Sequence, residues 1–276
     1  MSVILNTPNF VCVAGVDVLR RAGARGGTPV VLLHGVGSNA SSFAPLMEVL
    51  DPALDLYAWD APGYGASQPL ATESPHPSDY ADALTDVLDA LDLRRMVLVG
   101  HSLGSLFAGS FAATRPARIA ALALLSPALG YRVETGAALP PNVRSRIDDI
   151  ERLGPEAFAA SRAARLVYTP EKKPDVLARV QSAMAALNKT GYAQAVRALG
   201  HGDLLADAAQ ITAPTCVAIG AEDAVTPPAG ARELHASLKN PLDYQEIAAT
   251  GHALPQEAPT AVARLLEKLV KEAQHD

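Results

Sequence analysis

The most constraining feature of this sequence is an apolar run that leads directly into a serine flanked by glycines. Residues 96–99 read Met-Val-Leu-Val, and Gly100-His101-Ser102-Leu103-Gly104 follows without a break before an alanine-rich stretch. The first run is typical of a buried strand and the stretch after the serine of a buried helix. A serine at a sharp strand-to-helix turn has a strained backbone and needs small neighbours. The pattern therefore predicts that Ser102 stands at the carboxyl end of a strand, at the start of a helix.

Short apolar runs alternate with helical windows along most of the 276 residues. This alternation predicts βαβ units and a mostly parallel sheet of eight strands, opened by a hairpin over residues 10–21. The strands lack polar alternation, which is typical of strands covered on both faces. Residues 131–203 break the rhythm, because they contain four helical windows and no convincing strand. We expect an α/β core of residues 1–130 and 204–276, with residues 131–203 as a helical insertion.

Three residues have the types and the order needed for nucleophilic catalysis. A serine hydroxyl is a weak nucleophile at neutral pH, so a base must accept its proton and a carboxylate must orient that base. His252 lies in a Gly-His loop after the last predicted strand, and Asp223 lies in the loop after the preceding strand, with Glu222 as an adjacent rival. The order Ser102, Asp223, His252 is that of a triad on an α/β sheet. We predict that Ser102 is the nucleophile, Asp223 the orienting acid and His252 the base.

The oxyanion that forms during acyl transfer needs two donors that are in place before the charge develops. The backbone amide of Leu103, directly after the predicted nucleophile, is one expected donor. The other is expected from the glycine-rich turn after an earlier strand, where the Val36 amide is the candidate. His34 and Gly35 in the same turn are candidate substrate-binding residues.

These positions resemble the α/β-hydrolase superfamily. The resemblance also includes the His34-Gly35 turn and the segment Asp60-Ala61-Pro62-Gly63-Tyr64-Gly65, and it covers the chain outside residues 131–203. Ser105 stands where many relatives carry a further glycine. The resemblance implies an α/β-hydrolase fold, with residues 131–203 as a helical cap over the active site. It implies acyl transfer to water through an acyl-enzyme on Ser102, with no cofactor and no metal.

Composition and charge narrow the classes of partner. The chain is 49% hydrophobic and 19% charged, with a net charge of −6 and no basic run, which disfavours nucleic acid as a partner. Cys12 and Cys216 lie in apolar runs and are predicted to be small buried side chains. The longest apolar run is too short to span a membrane. We expect a soluble, cytoplasmic enzyme that acts on a small molecule; the sequence predicts no oligomeric state.

The charge of the helical insertion suggests a substrate class. Residues 131–203 hold 11 Lys and Arg against eight Asp and Glu, a net of +3, whereas the rest of the chain carries −9. A basic cap can bind a carboxylate-bearing substrate, or it can be a solvated surface of mixed charge. Five arginines are candidates, with Arg132 and Arg162 retained as substrate-binding residues: Arg132, Arg144, Arg146, Arg162 and Arg165.

The favoured function is a serine hydrolase for a small carboxylic ester or lactone, with an acidic catabolic intermediate as one candidate substrate type. The stretch from Gly191-Tyr192 to Val225-Thr226-Pro227-Pro228 is similar to that of 3-oxoadipate enol-lactonases. The alternatives are an amidase and a carbon–carbon bond hydrolase for ring-cleavage products. Relatives of the latter type carry an aromatic residue where Ala253 stands here. A non-enzymatic small-molecule receptor is a further alternative.

Overall fold

The structure, a computed structural model, describes residues 7–23 and 27–274. Within these residues it has one eight-stranded sheet in the order β1-β2-β4-β3-β5-β6-β7-β8, in which β1 and β2 pair antiparallel and the other pairs are parallel. The strands are β1 (Asn9–Val13), β2 (Val16–Arg21), β3 (Val30–Leu33), β4 (Leu56–Trp59), β5 (Met96–His101), β6 (Ile119–Leu125), β7 (Thr215–Gly220) and β8 (Pro241–Ile247). The predicted eight-stranded, mostly parallel sheet is confirmed.

The opening hairpin has a sequence-specific cause. Ala14 and Gly15 join β1 to β2, and both have positive φ angles, 50° and 77°. A two-residue turn with positive φ at both positions matches the right-handed twist of the flanking strands, and glycine adopts this conformation without a steric penalty.

Burial is complete along the central strands and is lost at the edges. Every residue of β3 to β7 is buried, as the continuous apolar runs predict. The edge strands β1 and β8 contain no buried residue, so the expectation of two covered faces is wrong for them. The prediction of a buried Cys12 is also wrong, because this residue lies on β1 and is exposed, whereas Cys216 on β7 is buried. An apolar run alone does not reveal whether its strand has one neighbour or two.

Ten α-helices are described, and those of the core cover both faces of the sheet. They are α1 (Ala44–Val49), α2 (Pro77–Ala90), α3 (Leu103–Thr114), α4 (Pro141–Arg162), α5 (Pro174–Ala185), α6 (Lys189–His201), α7 (Leu204–Ala208), α8 (Pro228–Ser237), α9 (Leu254–Glu257) and α10 (Pro259–Ala273). Alternate residues of β3 show the two layers. Val31 and Leu33 belong to the apolar cluster with α2 and α3, and Val30 and Leu32 to the cluster with α1 and α10. Among the described helices, none has the length and apolar character to cross a membrane.

Helices α4, α5 and α6 lie between β6 and β7, within the stretch expected to be a helical insertion. The two windows predicted over residues 143–167 form α4, which is interrupted at Gly154, where φ is 75° and Pro155 follows, and then a 3-10 turn, Ala163–Leu166. The helices contribute buried residues such as Val143, Phe158 and Val196 to the larger apolar cluster. The division into core and cap stays a prediction about domain organisation.

Candidate active site

The serine at the strand-to-helix junction has the backbone that its glycine neighbours predict. Ser102 follows β5 and precedes α3, with φ 54° and ψ −116°. This strained conformation requires close backbone packing around it. A Cβ on Gly104 would collide with the Leu33 carbonyl oxygen, and one on Gly35 would lie 2.8 Å from the Ser102 Cβ. The glycines on both sides of the turn are therefore needed for Ser102 to reach its position.

Ser105 contributes a hydrogen bond to the same turn. Its buried hydroxyl donates to the Gly100 carbonyl oxygen at 2.9 Å. A glycine at this position would leave that carbonyl without this donor. The departure from the superfamily pattern at Ser105 is thus accommodated inside the turn, away from the Ser102 hydroxyl.

Three buried side chains form a continuous hydrogen-bonded chain at the carboxyl edge of the sheet. His252 Nε2 lies 2.9 Å from Ser102 Oγ, and His252 Nδ1 lies 2.8 Å from Asp223 Oδ2. Asp223 follows β7 and His252 follows β8, so parallel strands bring all three loops to one edge. Glu222, the rival carboxylate, is exposed. With this geometry, His252 can accept the Ser102 proton while Asp223 orients the imidazole ring.

The carboxylate of Asp223 is held in its ionised form. Burial by itself would raise the pKa of Asp223, but hydrogen bonding to His252 and to the Thr226 and Val225 amides outweighs burial and lowers the pKa to about 2. Asp223 Oδ1 accepts both amides, at 2.8 Å from Val225 and 2.9 Å from Thr226. The Thr226 hydroxyl also lies 3.0 Å from Asp223 Oδ2. Thr226 lies in the stretch that is similar to enol-lactonases, but the sequence did not predict it as a site residue.

Two further histidines hold the backbone around the site. His101 Nε2 lies 2.8 Å from the His252 carbonyl oxygen, and burial together with the neighbouring His252 lowers the pKa of His101 to about 3. The neutral ring therefore donates Nε2–H to that carbonyl. His34 lies 2.8 Å through Nδ1 from the Gly35 carbonyl, and its Nε2 accepts the Ala61 amide at 3.0 Å. Both His34 nitrogens bind backbone, and His34 does not line the cavity beside Ser102. The structure therefore shows His34 bound to the backbone of the turn, outside this cavity.

The two residues that carry the predicted oxyanion donors lie at the same cavity as Ser102. The side chains or backbones of Val36 and Leu103 line the cavity that contains Ser102 and His252. Leu103 is the first residue of α3, where the amide has no acceptor within the helix. Over residues 7–23 and 27–274, neither the Val36 nor the Leu103 amide donates to a protein acceptor. Both N–H groups are free to bind a developing negative charge. Gly35 lies so near Ser102 that it leaves no room for a Cβ, and it lines a small adjoining cavity.

A cavity of about 540 Å³ opens above Ser102 and His252. Its lining includes residues of the serine turn and the triad loops, together with residues of α4, α5, α6 and the 3-10 turn after α4. Apolar side chains supply much of the surface: Val36, Leu103, Leu129, Leu153, Leu166, Met184, Leu199 and Val225. The size suits a small organic molecule.

The charged lining of this cavity is basic. It contains four arginines, Arg146, Arg152, Arg162 and Arg165, and one aspartate, Asp149. Asp149 accepts Arg152 Nη2 at 2.8 Å and Arg162 Nη2 at 2.6 Å.

Of the two arginines retained from the sequence, only Arg162 lines the cavity. Arg132 lies outside it and pairs with Asp203 at 3.1 Å. Arg144, another candidate, pairs with Asp148 at 2.8 Å and lines a different cleft. Arg152 was not among the sequence candidates, because spacing alone does not show which helix face meets the cavity.

A buried glutamate that sequence reasoning missed joins the histidine loop to the α4–α5 connection. The Glu257 side chain is fully buried; Oε1 accepts the Gly251 amide at 3.0 Å, and Oε2 accepts the Tyr168 amide at 3.0 Å. Lys173 Nζ donates to Glu257 Oε2 and to the Ala249 carbonyl, each at 2.7 Å. We call these residues, with Glu257 at their centre, the Glu257 clamp. It fixes the backbone on the N-terminal side of His252.

The sequence profile of the alpha/beta hydrolase fold matches residues 28–259. The chain therefore belongs to the α/β-hydrolase family. Among curated relatives, (E)-2-((N-methylformamido)methylene)succinate hydrolase of Acinetobacter baylyi is 30% identical over 205 residues, which cover 71% of this chain and 73% of the relative. Pimeloyl-[acyl-carrier protein] methyl ester esterase of Chromobacterium violaceum is 29% identical, over 79% and 85%.

A solved structure shares the whole architecture. The enol-lactonase of Burkholderia xenovorans LB400 superposes with a TM-score of 0.82 at 23% identity, covering 95% of this chain and 100% of the lactonase. This similarity shows a common fold. Taken with the family match and the hydrolase relatives, it establishes that the chain is a hydrolytic enzyme of the α/β-hydrolase fold. In the described residues, no group of three or more His, Cys, Asp or Glu side chains could hold a metal ion.

Proposed function

We propose that this enzyme cleaves a small-molecule carboxylic ester or lactone through an acyl-enzyme on Ser102. The observation that carries the proposal is the hydrogen-bonded chain from Ser102 through His252 to Asp223, of which Ser102 and His252 line a cavity of about 540 Å³. Nucleophile and orienting acid both lie within hydrogen-bonding distance of the base.

The proposed reaction begins when His252 Nε2 accepts the Ser102 Oγ proton and the oxygen attacks the substrate carbonyl carbon. The Val36 and Leu103 amides donate to the resulting oxyanion. The imidazolium of His252 then returns the proton to the leaving alkoxide as the carbon–oxygen bond breaks, which leaves an ester on Ser102. His252 deprotonates a water molecule that attacks this ester, and the proton returns to Ser102 as the acid product leaves.

The lining of the cavity supports a substrate that bears a carboxylate. Four arginines against one aspartate leave an excess of positive charge where the substrate must lie. Guanidinium groups bind carboxylates with two parallel hydrogen bonds. A relative at 30% identity is named for the hydrolysis of a substituted succinate, which agrees with this substrate class.

The first test is covalent labelling with a fluorophosphonate probe, which reacts with activated serines. Wild-type protein should be labelled, and Ser102→Ala should not be labelled. An unlabelled wild type would refute the proposed nucleophile, and labelling of Ser102→Ala would place the reactive serine elsewhere. A panel of esters, lactones, amides and coloured dienols at equal concentration then identifies the scissile bond.

Carbon–carbon bond hydrolysis is the second candidate. A 2-hydroxy-6-oxononadienedioate/2-hydroxy-6-oxononatrienedioate hydrolase of Pseudomonas putida is 35% identical over 109 residues, or 38% of this chain. Loss of dienol colour that exceeds ester turnover would favour this function. The match is limited to a part of the chain, and we rank this candidate behind ester or lactone hydrolysis.

A further inference from the structure

The four arginines that line the cavity differ in whether their guanidinium groups pair with a carboxylate. Arg146, Asp149 and Arg152 are spaced by three residues along α4, so they lie along one face of the helix. Asp149 binds Arg152 with one oxygen and Arg162 with the other. Hydrogen bonds from Arg162 and Arg152 lower the pKa of Asp149, which remains ionised. Two of the four guanidinium groups thus already have a carboxylate partner.

Arg146 has no such partner. Within the described residues it forms no ion pair, and its Nε is buried without a hydrogen-bond partner. The residue as a whole is partly exposed and lines the cavity, so a substrate carboxylate bound to its guanidinium would be screened by water less than one bound to an exposed arginine. Arg165 also lacks an ion pair, but it is exposed, and water can satisfy it.

Tyr192 lies beside Arg146 on the cavity wall. It projects from α6, it is 3% exposed, and it lines the same cavity. Burial raises the pKa of Tyr192 to about 12, against the opposing charge of Arg146, so its hydroxyl keeps its proton. A protonated hydroxyl beside a planar guanidinium provides two kinds of donor for one carboxylate.

We propose that Arg146, with Tyr192, forms the subsite that binds a carboxylate of the substrate and selects carboxylated esters or lactones over neutral ones. This inference rests on the proposed ester or lactone hydrolysis and adds the residue that decides the substrate class. Arg162, which the sequence favoured, would instead keep Asp149 and the cavity wall in place. Arg146 and Tyr192 bind the substrate in this proposal, and neither takes part in bond cleavage.

The test compares monomethyl glutarate, adipate and pimelate with neutral methyl esters of the same chain length. Selectivity is the ratio of kcat/KM for the acidic ester to that for the neutral ester. Arg146→Gln should lower this ratio at least tenfold, through KM of the acidic ester, because a charge-assisted bidentate contact is lost. Arg146→Lys should recover part of the ratio. Arg179→Gln, which removes an exposed arginine on α5 outside the cavity, is the matched control and should leave the ratio within twofold.

An unchanged ratio in Arg146→Gln, or an equal loss in Arg165→Gln, would overturn the proposal. Circular dichroism shows whether each variant is folded. If Arg146→Gln does not fold, Tyr192→Phe is measured in its place. This variant removes one hydrogen-bond donor and should lower the selectivity ratio about threefold. An unchanged ratio in Tyr192→Phe would then refute the subsite.

A binding experiment separates this inference from the proposed function. Glutarate, adipate and pimelate are titrated calorimetrically into Ser102→Ala, with and without Arg146→Gln. Binding that weakens at least tenfold on loss of Arg146 supports the subsite even if no ester is cleaved. Absence of binding for all three dicarboxylates, or binding that ignores Arg146, refutes the subsite even if neutral esters are hydrolysed.

Discussion

Replacement of Glu257 by alanine tests whether the Glu257 clamp holds the catalytic histidine. The Glu257 carboxylate is fully buried and accepts the Gly251 and Tyr168 amides and the Lys173 ammonium. Glu257→Ala leaves these three donors without their acceptor. Each buried donor left unsatisfied costs about 1–3 kcal/mol. The side chain of Lys173 is 23% exposed, so water recovers part of its share, and we expect a total loss of about 3–5 kcal/mol.

The expected loss is measured as the free energy of unfolding in urea, followed by circular dichroism. The Gly251 amide directly precedes His252, so we also expect kcat for an ester to fall about tenfold or more, with a smaller change in KM. Glu257→Gln keeps the shape and should lie between wild type and alanine. Glu151→Ala is the matched control, because Glu151 on α4 pairs with Lys189 at 3.5 Å in an exposed ion pair, and it should cost less than about 0.5 kcal/mol. A loss below about 1 kcal/mol in Glu257→Ala would show that the clamp does not stabilise this loop.

Two further predictions concern the serine turn and the pH dependence of stability. Gly35→Ala should lower kcat about a hundredfold, because the new Cβ would lie 2.8 Å from the Ser102 Cβ and displace the nucleophile. Gly27→Ala is its control, since a Cβ there meets nothing within 4 Å, and equal kcat in the two variants would contradict the steric argument. Burial, reinforced by the charge of Asp203, raises the pKa of Asp207 to about 6. The folded protein then binds this proton more tightly than the unfolded chain between about pH 4 and 6, so the contribution of Asp207 to the free energy of unfolding should fall by about 2 kcal/mol as pH rises through this window. The low pKa of buried His101 acts in the opposite direction, so the effect is measured as the difference between wild type and Asp207→Asn. In urea titrations at each pH, the unfolding free energy of wild type minus that of Asp207→Asn should fall by about 2 kcal/mol from about pH 4 to 6, whereas the difference between wild type and Asp86→Asn, at an exposed position on α2, should stay constant. A difference between wild type and Asp207→Asn that does not change with pH would refute the assignment.

The agreement between sequence and structure is closest where the cause is local. The apolar runs of β3 to β7 form buried strands because a fully covered strand needs apolar residues on both faces. The turn at Ser102 forms because Gly104 and Gly35 leave room for it. The edge strands could not be recognised in this way, since the number of neighbours of a strand depends on the order of the sheet.

The residues around the cavity show the limit of sequence reasoning. Arg162 and Arg132 were the candidates for substrate binding, but Arg162 is paired with Asp149 and Arg132 with Asp203. These pairs join residues 13 and 71 positions apart. Such distant partners decide whether an arginine is already paired with a carboxylate. Helix periodicity cannot predict them, because it relates only residues that are close in the sequence.

The chain alone determined that Ser102 stands at a strand-to-helix turn and that an acid and a histidine follow on later loops. The physical reason is that strand burial, helix periodicity and glycine requirements act over a few neighbouring residues. Only the tertiary structure decided that, within the described residues, the partly buried Arg146 of the cavity has no carboxylate partner and that Glu257 secures the loop of His252. Burial and charge pairing depend on which distant side chains come together, and folding alone sets that arrangement.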